Sequence, residues 1–168
     1  AFFSRGTTRN AYAKYSEAGT DYVYNMGRLR RKFETAKKLV PAPVVKRASQ
    51  RTRYGAIYYG STGPAMAEAF ALLEEEGVHV DLLRVRGFPF SDNVIDFIAE
   101  HDFVFVVEQN ESGQLRMLLI NEGEVDPARL IRVLHYDGTP ITARFISDRI
   151  AGALAQHKVT PLRKQVTS

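Results

Sequence analysis

From Asp21 to about Val40, the apolar side chains of Tyr22, Met26, Leu29, Phe33, Ala36 and Val40 recur at alternating steps of four and three. That spacing predicts one face of an amphipathic helix, capped by Thr20 and stopped by the Pro-Ala-Pro of 41–43. The other side carries Arg28, Arg31, Lys32, Lys37 and Lys38. Most of these charges read as a solvated face. "KRASQRTR" at 46–53 reads as a linker, and beyond it the pattern changes to apolar runs alternating with helical periods. Strands are expected at 54–60, 78–86, 102–108 and 130–138. Helices are expected at 63–77, ending at Gly77, at 91–101 with Ser91 as cap, from Gln114 onward, and near 142–156.

Strands and helices that take turns imply a mostly parallel sheet with helices on both faces, a three-layer α/β fold carrying an N-terminal helical arm. The expected division is 1–53 for the connection, basic helix and linker, 54–157 for the α/β domain, and 158–168 for a basic tail. The first and third of the expected strands should be neighbours where chain order reverses. The loops after them then face one crevice, the usual ligand position in such sheets.

Charge sharpens this division. The 168 residues carry 13 basic and 3 acidic side chains in 1–53, 7 and 16 in 54–157, and 3 and 0 in 158–168. A basic arm on an acidic body can bind nucleic acid, but a near-matching opposite charge in the same chain favours docking on protein. No run approaches the roughly 18 apolar residues of a membrane span and no secretory leader pattern opens the chain, so a cytoplasmic protein is expected. Cysteine is absent, which excludes cysteine-ligated clusters and disulfides within these residues.

Candidate chemistry is sparse. "GSTGP" at 60–64 offers Ser61 and Thr62 at a helix start, without the glycine pattern of a dinucleotide or triphosphate loop. A tight turn with a hydroxyl cap is the simpler reading. "EQNESGQ" at 108–114 brings Glu108, Asn110 and Gln114 together; Glu108 either caps the following helix or makes a contact. The histidines at 79, 101, 135 and 157 lack metal-ligand spacing. His135, beside Tyr136 and Asp137, is the one most open to a role, against the alternative of a hydrogen-bonded turn.

Three segments in order, "YNMGRLRRKFETAKKLVPAPVV", "VVEQNESGQLRMLL" and "DPARLIRVLHYDGTPITARFI", resemble the C-terminal part of the alpha subunit of 2-oxoglutarate:ferredoxin oxidoreductases, in the 2-oxoacid:acceptor oxidoreductase family. "RGTTRN" is similar to the connection by which those subunits pass from their pyrimidine-binding domain to the C-terminal one, with Arg5, Thr7 and Asn10 matching. Arg9 and Ala11 stand where many relatives have His and Glu. The resemblance implies a transketolase C-terminal-domain-like body acting as scaffold and subunit contact, in a chain that is a fragment of the subunit. It also implies a parent complex that converts 2-oxoglutarate, CoA and oxidised ferredoxin to succinyl-CoA, carbon dioxide and reduced ferredoxin. Thiamine diphosphate, magnesium and an iron–sulfur cluster belong to that complex, its beta subunit holding the diphosphate, the magnesium and a cluster. No cofactor is expected on these residues. Contacts with the beta subunit or with other alpha-subunit domains are expected at Arg5, Thr7, Asn10, Ser61, Thr62, Glu108, Asn110, Gln114 and His135. Glu108 is the expected single anchor, so that Glu108→Ala would weaken assembly and spare the fold.

Overall fold

Residues 7–157 are described by a computed structural model; Arg5 and the tail 158–168 lie outside the described residues. The chain separates into two compact units that meet at Val40–Pro41.

The first unit is a short looped stretch followed by α1 (Gly19–Lys37). Asn10 Oδ1 accepts from the backbone N–H of Tyr12 at 3.0 Å and of Lys14 at 3.1 Å, closing the turn that lets Arg9 and Tyr15 bridge. Asn25 on α1 fastens this turn to the helix, donating to Thr8 Oγ1 and to the Arg9 carbonyl, both at 2.7 Å. The expected apolar stripe is present, but no residue of α1 is buried. Tyr22 is 54% exposed and Phe33 52%.

The second unit begins with a strand that the sequence did not disclose, β1 (Val44–Lys46), exposed along its length. The remaining strands are β2 (Tyr54–Tyr59), β3 (Asp81–Val85), β4 (Phe103–Glu108) and β5 (Leu130–Leu134). The sheet order is β1-β3-β2-β4-β5; β1 runs antiparallel and the other four are parallel. The segment expected as linker therefore starts inside the sheet. It continues pinned to it: Arg47 donates to Asp81 at 2.7 Å and Glu100 at 2.8 Å, and Ala48 N–H donates to Asp81 at 2.8 Å.

Helices α2 (Gly63–Glu75) and α5 (Ala143–His157) cover one face of the sheet; α3 (Asp92–Glu100) and α4 (Gln114–Gly123) cover the other. The two-residue period of the strands builds both cores. Ala56, Leu82, Phe105, Val107 and Val133 point toward Met66, Phe70, Ile146 and Ile150, while Ile57, Leu83, Val104 and Val106 point toward Phe97, Ile98, Leu115 and Leu119. Burial on both faces explains why the central strands β2 and β4 read as near-continuous apolar runs.

Candidate functional site

The first and third expected strands, β2 and β4, are neighbours, and β3 and β5 lie outside them on either side. Chain order reverses between β2 and β4, and the loops that follow them come together at their carboxyl ends. Ser61 and Thr62 leave β2 in a single 3-10 turn, Gly60–Thr62, that runs into α2. The residue that spans the crevice is Gln109, whose side-chain amide donates to Thr62 Oγ1 at 3.1 Å and Ser61 Oγ at 3.3 Å. Its two neighbours in sequence, Glu108 and Asn110, are among the expected contacts; Gln109 is not.

Glu108 has a different task. It is fully buried at the end of β4. One carboxylate oxygen accepts from Leu115 N–H at 2.7 Å and Asn110 Nδ2 at 2.9 Å, and the other from Arg116 N–H at 3.0 Å. The Leu115 and Arg116 N–H groups are first-turn donors of α4 that have no partner within the helix, and a carboxylate there also favours the positive end of the helix dipole. Asn110 completes the cap, its Oδ1 accepting from Gly113 N–H at 2.7 Å and Gln114 N–H at 3.1 Å. Gly113 has φ of 71°, the left-handed conformation glycine takes without strain, and a Cβ there would stand 3.5 Å from Arg132 Nε. Of the two roles open to Glu108, the structure shows the helix-capping one, because full burial leaves its carboxylate no surface to present. Gln114, just beyond, is exposed.

His135 lies at the edge of the same group. Its backbone N–H donates to the Glu108 carbonyl at 3.0 Å, its ring meets Phe145 edge-on at 4.9 Å, and its Nε2 is 3.5 Å from Asp137. Asp137 Oδ1 accepts from Thr139 N–H at 2.8 Å and Thr139 Oγ1 at 2.7 Å, so the loop is a hydrogen-bonded turn. Those bonds, foremost that from the Thr139 hydroxyl, hold the Asp137 carboxyl below its usual range. Thr7 and Asn10 belong to the first unit, where they line an open hollow of about 580 Å³ with Arg28 and Leu29.

Beside the crevice, the carboxyl ends of β2 and β3 and the first turns of α4 enclose a cleft of about 500 Å³. Its walls are Tyr59, Phe88, Phe90, Leu115 and Leu118, and Arg86 stands in its lining. At the opposite end of the sheet, Asp81 collects Arg47, Ala48 N–H and the buried His101, whose Nε2 is 3.2 Å away. Burial pushes the Asp81 carboxyl up, but the bonds from Ala48, Arg47 and His101 together hold it below the usual carboxylate range. Among the described residues no three His, Cys, Asp or Glu side chains gather as a metal site, and no helix is long and apolar enough to cross a membrane.

A mostly parallel α/β sheet with an antiparallel edge and helices on both faces is the architecture of a transketolase-like C-terminal domain. It matches a split-gene transketolase structure with a TM-score of 0.55, at 18% identity over 67% of this chain and 41% of the other. The structure of 2-oxoglutarate:ferredoxin oxidoreductase from Magnetococcus marinus, with 2-oxoglutarate, coenzyme A and succinyl-CoA bound, matches with a TM-score of 0.77 at 20% identity, covering 90% of this chain and 26% of that one. In sequence, the chain is 29% identical over 142 residues to the alpha subunit of 2-oxoacid:ferredoxin oxidoreductase 2 from Aeropyrum pernix, covering 82% of this chain. The resemblance to an oxidoreductase alpha subunit, read from three segments, is found again in sequence, and the structures it matches share its fold. The chain spans about a fifth of the length of that curated relative, 21%. No family model matches the chain.

Proposed function

We propose that this chain is the C-terminal domain of the alpha subunit of a thiamine-diphosphate-dependent 2-oxoacid:ferredoxin oxidoreductase, with 2-oxoglutarate as the oxoacid. The observation that carries the reading is the 29% identity over 142 residues to a curated alpha subunit. In this reading the parent complex oxidatively decarboxylates the oxoacid to its acyl-CoA and reduces ferredoxin, and the domain is scaffold and subunit contact.

Its own residues do not fit a magnesium–diphosphate site. The first-turn donors of α4 are taken by Glu108 and Asn110, and the Ser61 and Thr62 hydroxyls face Gln109. α2 carries Pro64, which has no N–H to offer. A buried carboxylate beside the loop would repel a diphosphate. What these residues do instead is fix the surface: Glu108 orients α4, Gln109 ties the β2 loop to the β4 loop, and the exposed Ser61, Gln109 and Gln114 are left as polar contact groups. The thiamine cofactor, magnesium and cluster are then held by the beta subunit and the other alpha-subunit domains.

The test is an assay of the whole polypeptide that contains this sequence, purified with its bound partners. Ferredoxin reduction that requires both 2-oxoglutarate and CoA is the expected result. A homogeneous preparation without an iron–sulfur protein and without any oxoacid-dependent reduction would leave the alternative, a non-catalytic interaction domain.

A further inference from the structure

The cleft between the carboxyl ends of β2 and β3 and the start of α4 borders the crevice and shares Gly60, Gln114 and Leu115 with it. Its walls are apolar, and two of them, Tyr59 and Phe88, remain 40% and 43% exposed. Phe88 is held edge-on against the buried Phe90, at 5.3 Å between ring centres, so the wall is a fixed one. The charges around it run against the rest of the body. Residues 54–157 carry 16 acidic and 7 basic side chains, yet the charged residue in the lining of this cleft is Arg86. Arg86 is exposed, and among the described residues it forms no ion pair.

We infer that this cleft is a docking site for a neighbouring polypeptide, which inserts an apolar or aromatic side chain flanked by Asp or Glu. The chemistry of the lining selects this occupant over a small polar ligand. A small-ligand site needs several convergent polar groups inside it, and here the nearby helix-start donors are already consumed by Glu108 and Asn110. An apolar anchor hole with an arginine on its rim is instead the anatomy of a protein–protein contact centre. Arg86 would meet a flanking carboxylate in a partly exposed pair that sets orientation and partner choice.

The inference deepens the proposed role as subunit contact and rests on it, and two measurements separate the fates of the two. The first uses the isotope-labelled 168-residue chain titrated by NMR with the capped peptide Asp-Glu-Leu-Phe-Glu-Asp, beside a version with Lys at every acidic position and one with Ser-Ser for Leu-Phe. The acidic apolar peptide is expected to give saturable shifts at Gly60, 86–90 and 114–118, and both controls to bind at least about tenfold more weakly. Arg86→Glu should weaken the acidic peptide about tenfold and strengthen the Lys version, a reversal that a packing defect would not produce. Absence of saturation, equal binding of the Lys peptide, or indifference to Arg86→Glu overturns the inference. The second measures assembly of the full alpha subunit with its beta subunit, with and without Arg86→Glu. Assembly that ignores the substitution overturns the cleft as contact while the subunit reading stands; failure of the unaltered chain to assemble removes the subunit reading itself.

Discussion

Glu108 holds three donors of its own chain, two of them backbone N–H groups at the start of α4. Removing such an acceptor strands buried donors, each worth about 1–3 kcal/mol when left unpaired. Glu108→Ala is therefore expected to destabilise the domain by about 2–6 kcal/mol in chemical denaturation, as two stranded donors imply. An unchanged midpoint would return Glu108 to the surface-contact role. At the other end of the sheet, Asp81 has its pKa depressed in the folded state, so its contribution to stability is present above the unfolded value, about 3.9, and is lost as pH falls through the folded one. Thermal melts should show wild type losing stability below about pH 4, while Asp81→Asn is less stable at neutral pH and changes less over the same acid range. Parallel acid profiles would mean that another carboxylate governs the loss. The sequence offered the capping role of Glu108 only as one of two equal readings, because a glutamate at a strand end, followed by amides and a glycine, reads as surface or cap; the role of Gln109 was not legible, since it comes from Ser61 and Thr62, 48 and 47 residues away.

At the scale of elements, the alternation of strands and helices was legible because each parallel strand is buried on both faces and each helix on one. The strand β1 was not, since three residues, all exposed, give no period to read. Glycine at 55 marks where packing is tightest: a Cβ there would lie 2.7 Å from Phe97 Cε1 and 3.3 Å from His101 Cγ. Gly55→Ala should cost about 1–3 kcal/mol, as overpacking of a core does, and a null change in melting would show that α3 can withdraw. The arm behaves oppositely. Phe33 on α1 is half exposed, so Phe33→Ala in this chain should shift stability by no more than about 0.5 kcal/mol, as surface substitutions do. A loss of about 2–5 kcal/mol would show the stripe packed after all.

For the whole molecule, the opposite charges of arm and body, the unburied apolar face of α1 and the arginine-rimmed cleft of the body all present surface that a larger assembly would cover. The proposed catalytic parts lie elsewhere in that assembly, so calorimetric titration of this chain with thiamine diphosphate and magnesium should give no binding heat; stoichiometric binding would contradict the scaffold reading. The most direct test of that reading is the native mass of the full polypeptide containing this sequence, mixed with the beta subunit of a 2-oxoacid:ferredoxin oxidoreductase from the same source, across a concentration series. The account predicts a stable complex of equal numbers of both chains that loses mass when this domain is deleted. Two species that never associate, or an assembly unchanged by the deletion, would contradict it.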